Sequence, residues 1–297
     1  MISLMVLVGG WENISRYIQI KLFYKAPAVD KSIKIISFNV RTFNQYNWLE
    51  GFSVRDSILD FINYEKPDVI FFQDYYTNES NKKLSRKYIN KKLSDFPYNH
   101  LNFTSHSTPK ANYGLATYSR YPIVNKGSID FDKSFNSCIF SDVVINSDTI
   151  RFYNVHFESI RLRKTKYSFT DSTLFSFKSD QIDEVKDISD RLKNAYIKRA
   201  RQVDQVSLHI NQSPYKVVVC GDFNDTPVSY TYQKVRGNLA DAFMISGEGI
   251  GYTYQGSFPS FRIDYILHSH QLKSFDYKTS HVVLSDHYPV TCRIIMH

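Results

Sequence analysis

The chain has 297 residues, with a hydrophobic fraction of 42%, 22 Tyr and 22 Phe, which supplies a large apolar core and excludes a disordered or low-complexity chain. A net charge of +8 favours an anionic partner, such as nucleic acid, a phosphorylated metabolite or an acidic membrane surface, without choosing among them. Three scattered cysteines, Cys138, Cys220 and Cys292, show no CxxC spacing and leave one unpaired, which argues against a disulfide framework and a thiolate zinc site.

The first 30 residues differ from the rest. Met1 to Val8 is apolar but is followed by Gly9-Gly10, short of the roughly 20 residues that a spanning helix needs. No basic stretch precedes it, and Ala26-Pro27-Ala28 lies too far downstream for a signal-peptide cleavage site. Trp11 to Lys25 mixes Ile, Tyr, Leu and Phe with Arg16, Lys21 and Lys25. That pattern suits either a segment lying on a membrane surface or one packing on the main domain, so both cytoplasmic and membrane-associated locations fit.

From Ser32 the pattern becomes regular. Ile33 to Asn39 reads as a buried strand, and Val54 to Tyr64, with Ile58, Leu59 and Ile62 at helical spacing, as an amphipathic helix closed by Pro67. A strand at Asp68 to Phe72 and a helix from Glu79 to Leu93 are expected next. Strands follow at Gly114 to Ser119, Cys138 to Ile145 and Thr149 to His156, the last two joined by the turn Asn146-Ser147-Asp148. Ser159 to Ser179 has no clear period and reads as a long loop, with the densest basic run of the chain, Arg161 to Lys166, inside it. Ile188, Leu192, Ala195, Val203, Val206 and Ile210 then mark one face of a long helix, with Lys193, Lys198, Arg199 and Arg201 expected on its solvated side. Beyond the apolar run Val217 to Cys220 come a short helix near Ser229 to Val235, a Gly-rich loop from Gly247 to Gly256, and strands at Ile263 to His268 and Pro289 to Ile295. Interleaved strands and helices with hairpins among them indicate a mixed α/β arrangement with outer helices.

Polar residues stand where these apolar runs stop: Asn39, Asp74 after Gln73, His156, Asp222 with Asn224, Asp264, and Asp286 with His287. Alternation along a strand puts Asp222 and Asn224 on one side, where a carboxylate holds or deprotonates water and an amide donates to a phosphate oxygen. Singly, such residues are ordinary turn formers, caps or hydrogen-bonded core groups. Together, several carboxylates and an amide offer hard oxygen ligands for Mg²⁺ or Mn²⁺, which points to phosphate-ester hydrolysis.

In order, IISFNVR, VIFFQDY, YGLATYSRYP, FYNVHFES, VVVCGDFNDTP, FRIDYIL and LSDHYPV resemble the signature blocks of the endonuclease/exonuclease/phosphatase superfamily, the deoxyribonuclease I-like fold. They run from Ile35 to Val290, nearly all of the chain after its N-terminal segment. The resemblance implies a four-layer α/β/β/α sandwich over residues 31–297, with residues 1–30 as an appended segment. It implies a metal held by Asn39 and Asp74, with Asp286 as a further or outer carboxylate. It also implies Asp222 on the attacking water, Asn224 and His156 on the phosphate, and His287 on the developing charge, with Asp264 orienting its ring.

Where the family usually has Gln-Glu this chain has Gln73-Asp74, a carboxylate shorter by one methylene, so activity with an increased demand for metal is expected. Abasic-site nucleases resemble one another in a Tyr two residues ahead of the glycine equivalent to Gly114. Here that position is Asn112, with the tyrosine at Tyr113, so the chain looks more like the broader phosphodiesterase and phosphatase branches. The expected activity is metal-dependent hydrolysis of phosphodiesters by a monomer, nucleic acid being one candidate substrate. A phosphatase or a sphingomyelinase-like phosphodiesterase of lipid head groups is the alternative, and a silent anion-binding module ranks below both.

Overall fold

The computed structural model describes residues 9–21, 24, 26, 27, 31–50, 53–160, 179–255 and 261–296. The stretch Met1–Val8 and the basic run Arg161–Lys166 lie outside the described residues, as do residues 161–178 of the expected loop and Gly256 of the Gly-rich one.

In chain order, α1 (Trp11–Ser15) leads into a short strand, β1 (Ile18–Gln19). Then come β2 (Ser32–Asn39), α2 (Val54–Glu65), β3 (Val69–Asn78), α3 (Arg86–Lys92), β4 (Tyr98–Thr108), β5 (Ala111–Ser119), β6 (Ile123–Asp130), β7 (Ser137–Ile145) and β8 (Asp148–His156). The rest of the described chain forms α4 (Ser179–Asn211), β9 (Lys216–Asp222), α5 (Tyr230–Arg236), β10 (Ala240–Asp241), α6 (Ala242–Ser246), β11 (Gly249–Ile250), β12 (Asp264–His268), β13 (Lys273–Thr279) and β14 (Val290–Ile295). One six-stranded sheet has the order β10-β12-β9-β8-β7-β6 and the other β13-β14-β2-β3-β5-β4, while β1 and β11 form a separate two-stranded ribbon.

Strand alternation builds the layers. Ile33 and Ile35 of β2, Phe71 of β3, Phe152 of β8, Val218 and Cys220 of β9 and Cys292 of β14 meet between the two sheets. Ile36, Phe38, Ile70 and Phe72 face the other way, onto Ile58, Leu59 and Ile62 of α2 and Ile89 of α3. Tyr153, Val155, Val217 and Val219 likewise pack under Val203, Val206 and Ile210 of α4 and Tyr232 of α5. The result is the expected four-layer α/β/β/α sandwich. The three cysteines are free and buried.

Several local expectations are corrected. The helix expected from Glu79 to Leu93 is only α3, because residues 79–85 form successive turns and Ser85 caps the helix by accepting the Tyr88 N–H, while β3 continues through a bulge at Asp74 as far as Asn78 and pairs with β5 on both sides of it. Strands β4, β6 and β13 were missed, as were the two-residue strands β1, β10 and β11, the last of which lies inside the expected Gly-rich loop. Arg199 does not lie on a solvated face: it is fully buried on α4, 3.2 Å from the Asp225 carboxylate and 2.8 Å from the Glu158 carbonyl oxygen. The N-terminal segment lies against the domain, with Gln19 buried, β1 paired to β11, and Arg16 buried beneath Glu12. No described helix is long and apolar enough to cross a membrane.

Candidate active site

Parity along each strand decides where the polar ends point. If Ile35, Phe152, Cys220 and Ile266 face the space between the sheets, so do Asn39, Asn154, His156, Asp222 and Asp264 further along the same strands. Register then lines them up. His156 of β8 is directly opposite Asp222 of β9, which is opposite Asp264 of β12, and in the other sheet Asn39 of β2 is opposite Gln73 of β3. The apolar filling of the sandwich therefore gives way at one edge to a polar row.

Asp222 is the centre of that row. It is buried, and its Oδ2 lies 3.0 Å from Asn39 Nδ2, 3.2 Å from Asn224 Nδ2, 3.5 Å from His156 Nε2 and 3.6 Å from His287 Nε2. Its Oδ1 accepts the Asn224 backbone N–H at 2.8 Å. Burial raises the pKa of this carboxyl, against the pull of the His287 and His156 imidazoles and with the help of Asp264. Asn224 reaches back because its own backbone is left-handed, at φ 52°, a conformation that Asn tolerates.

His287 donates Nδ1–H to Asp264 Oδ2 at 2.9 Å and turns Nε2 towards Asp222. Burial works against its charge, but the Asp264 and Asp222 carboxylates outweigh burial and push its pKa up to about 10. Tyr254, from the loop after β11, bridges to His287 and sets its ring 5.1 Å from the imidazole, edge to face.

Asp74 sits at the β3 bulge with φ 48°, its side chain 43% exposed and its Oδ1 3.4 Å from His156 Nδ1. The bulge takes carbonyls out of the ladder, and Asn154 answers by donating Nδ2 to the Phe72 and Ala116 oxygens, both at 3.1 Å. Asn154 in turn accepts from Gln73 Nε2 at 2.7 Å. Asp286 stands apart from the cluster and pairs with Arg41, Oδ2 to Nη1 at 3.0 Å.

Thus Asn39, His156, Asp222, Asn224, Asp264 and His287 meet around one carboxylate, Asp74 touches the group through His156, and Asp286 joins it through Arg41. Arg41, Asn154 and Tyr254 were not foreseen. The signal for Asn154 was an amide in the middle of an apolar run, and for Arg41 a charge immediately after the first strand.

Asp222, Asp264 and His287 bring ligand-type atoms within 4.8 Å of one another. A His287 that keeps its proton up to about 10 is a poor metal ligand, because an imidazolium offers no lone pair and repels a cation. Asn39, Asp74 and Asp286 instead present oxygens only, the donor set that Mg²⁺ or Mn²⁺ takes, and Asn39 Oδ1 is oriented by the Arg41 backbone N–H at 3.0 Å. In the chemistry of their donor atoms these three residues fit a hard divalent cation.

The endonuclease/exonuclease/phosphatase family profile matches residues 36–287. Among solved structures, the endonuclease/exonuclease/phosphatase from Beutenbergia cavernae DSM 12333 superposes with a TM-score of 0.66 at 15% identity, over 90% of this chain and 72% of the other. The endonuclease/exonuclease/phosphatase from Bacteroides vulgatus gives 0.65 at 16% identity, over 90% of this chain and 100% of the other. Truncated Caenorhabditis elegans TDP2 gives 0.60 at 16% identity, over 89% and 98%. No curated protein sequence matches the chain. At these identities the structures establish the fold alone, while the profile spans most of the chain, including the polar row from Asn39 to His287. The chain belongs to the endonuclease/exonuclease/phosphatase family of phosphate-ester hydrolases.

Proposed function

We propose that the protein is a divalent-metal-dependent phosphodiesterase in which Asp222 directs a water molecule in line at phosphorus. The observation that carries this is the convergence of the Asn39 and Asn224 side-chain N–H groups and the His156 and His287 Nε2 atoms on one buried carboxylate oxygen, within 3.0 to 3.6 Å. A carboxylate with a raised pKa, kept away from bulk water, is a competent acceptor for the proton of an attacking water. The surrounding donors are fixed before any phosphate arrives, so they stabilise negative charge on its oxygens without reorganising. His287 brings a positive charge, and Asp264 holds its Nδ1 so that Nε2 faces the reacting group. Asn224 and His156 address the phosphate oxygens from the Asp222 side. Asn39, Asp74 and Asp286 would hold the cation, whose contribution is to neutralise the phosphate and favour the leaving oxygen.

The test is hydrolysis of bis-p-nitrophenyl phosphate and p-nitrophenyl phosphate with Mg²⁺, Mn²⁺ or a chelator. Metal-dependent turnover favouring the diester is expected, and Asp222→Asn and His287→Ala should each lower kcat by about 100-fold or more. No turnover with either metal would favour a silent anion-binding module, and near-normal turnover in Asp222→Asn would sink the role given to that residue.

A second reading, a phosphodiesterase of lipid head groups at a membrane surface, is favoured by the β1–β11 ribbon. Ile18 pairs with Ile250, and together with Ile20 and Trp11 they are 40%, 62%, 66% and 55% exposed. Sedimentation with anionic vesicles and hydrolysis of sphingomyelin are the corresponding measurements. Binding lost in Ile20→Asp is the result this reading requires.

A further inference from the structure

A cavity of about 250 Å³ opens beside Asp286, and its Arg41 is linked to the Asp222 cluster through Asn39, which accepts the Arg41 backbone N–H and donates to Asp222. Arg41, Trp48, Leu49, Gln255, Leu284 and Asp286 line it. The mechanism above uses only Asp286 of these.

The wall is built with unusual backbone. Arg41, Thr42, Phe43 and Asn44 all take left-handed φ, at 41°, 54°, 53° and 60°, which non-glycine residues adopt only at a cost. Two features hold the turn in place. Phe43 is buried as a plug, with its ring 5.5 Å from Tyr75 and 5.9 Å from Phe72. Asn44 clasps Leu49 twice, its Nδ2 donating to the carbonyl oxygen at 2.9 Å and its Oδ1 accepting the N–H at 3.0 Å. The consequence is a fixed position for Arg41 and Trp48, whose guanidinium and ring are 4.3 Å apart.

The polar capacity of the cavity is nearly all in Arg41. Asn44 is spent on Leu49, while Gln255 donates to the Ser285 carbonyl oxygen at 3.0 Å and accepts from Tyr288 OH. Arg41 uses one side-chain nitrogen on Asp286 and has five N–H donors. Trp48 is 48% exposed, and Leu49 and Leu284 give an apolar floor. Tyr46, 56% exposed, continues the aromatic surface with its ring 5.9 Å from Trp48.

We propose that this cavity is a base-binding subsite, which takes the base of a nucleotide whose phosphate lies at Asp222. A flat, weakly hydrated ring with acceptor atoms at its edge matches an indole face, an apolar floor and a guanidinium with spare donors. A choline-type head group does not, because the Arg41 guanidinium repels a quaternary cation and offers donors that such a cation cannot accept. The subsite rests on the phosphodiesterase reading and narrows it to nucleotides and unpaired stretches of nucleic acid, with Tyr46 offering a platform for the neighbouring base.

The chain has two tryptophans, so Trp11→Phe leaves Trp48 as the sole indole reporter. Its fluorescence is followed with AMP, ribose 5-phosphate, inorganic phosphate and phosphocholine in metal-free buffer. AMP should quench with a Kd about tenfold or more below that of ribose 5-phosphate, and Arg41→Ala should remove most of that difference. Equal binding of AMP and ribose 5-phosphate, or tighter binding of phosphocholine, overturns the subsite. In a parallel assay, thymidine 5′-(p-nitrophenyl phosphate) should be hydrolysed about tenfold faster in kcat/KM than methyl p-nitrophenyl phosphate, and Trp48→Ala should bring the two within about twofold. Equal turnover of both esters by the unaltered protein overturns the subsite and leaves the phosphodiesterase standing. Nucleotide binding with no turnover of any ester does the reverse.

Discussion

The His287 imidazole stands between carboxylates, with Nδ1 2.9 Å from Asp264 and Nε2 3.6 Å from Asp222. Its pKa is up at about 10 despite burial, so the charged form persists through neutral pH and is lost only as pH rises through about 10. If that charge stabilises the transition state, the alkaline limb of kcat/KM against pH belongs to His287. Asp264→Asn removes the larger of the attractions while keeping a hydrogen-bond acceptor. The alkaline limb should then move acidward by a pH unit or more, and kcat should fall by about 100-fold. A limb that stays in place with only the rate reduced would make Asp264 a structural group. Asp74 raises a different question, since its short side chain is turned towards His156 by a left-handed residue at the bulge. Asp74→Glu adds about 1.3 Å of reach and should lower the Mg²⁺ concentration for half-maximal activity by several-fold. An unchanged Mg²⁺ dependence would show that metal demand is not set by that length.

At the level of elements, the site depends on how closely β8 and β9 approach. Gly221 has φ +140°, and a Cβ built there would lie 2.0 Å from the Val155 carbonyl oxygen. Gly221→Ala should therefore push β9 from β8, separate Asp222 from His156, and cost about 3–4 kcal/mol in urea unfolding. A fully active variant of normal stability would show that the strands have slack. The elements that carry chemistry were also the easiest to read. β2, β8, β9, β12 and β14 are buried on both faces, so their apolar runs are continuous and their polar ends conspicuous. β4 and β6 are edge strands with little full burial, and no apolar run betrays Asn99 to Thr108 or Asn125 to Asp130. The bulge at Asp74 was equally hidden, because the sequence shows only that polar residues follow Phe72. Continuing the strand through it needs Asn154 from the opposite sheet to satisfy the freed carbonyls. Arg41 and Trp48 were illegible as a pair for a similar reason: a left-handed turn of non-glycine residues has no sequence signature, and Phe43 holds it only once the core exists.

Over the whole molecule, the architecture followed from motif order and parity, but the coupling between the sheets did not. Each sheet hides its own runs, whereas the polar contacts across the sandwich join residues with no pattern between them. One of these is the pair His100 on β4 and Ser141 on β7, Nδ1 to Oγ at 3.1 Å. Burial, and then the charge of Lys126, lower the His100 pKa from 6.5 to about 4. The sign follows from proton uptake. Between about 6.5 and about 4 the unfolded chain binds a proton that the folded protein refuses, so stability is complete above 6.5 and falls as pH drops towards 4. Allowing for solvent screening of a partly exposed group, the loss between pH 7 and pH 5 is about 1 kcal/mol. His100→Gln keeps a partner for Ser141 but cannot take up a proton, so urea unfolding of that variant should vary less with pH across this interval by about the same amount. Parallel pH dependences for the two proteins would place the acid sensitivity elsewhere. If the curves diverge as expected, His100 ties the two sheets together at neutral pH, and acid loosens the sandwich through this contact between β4 and β7.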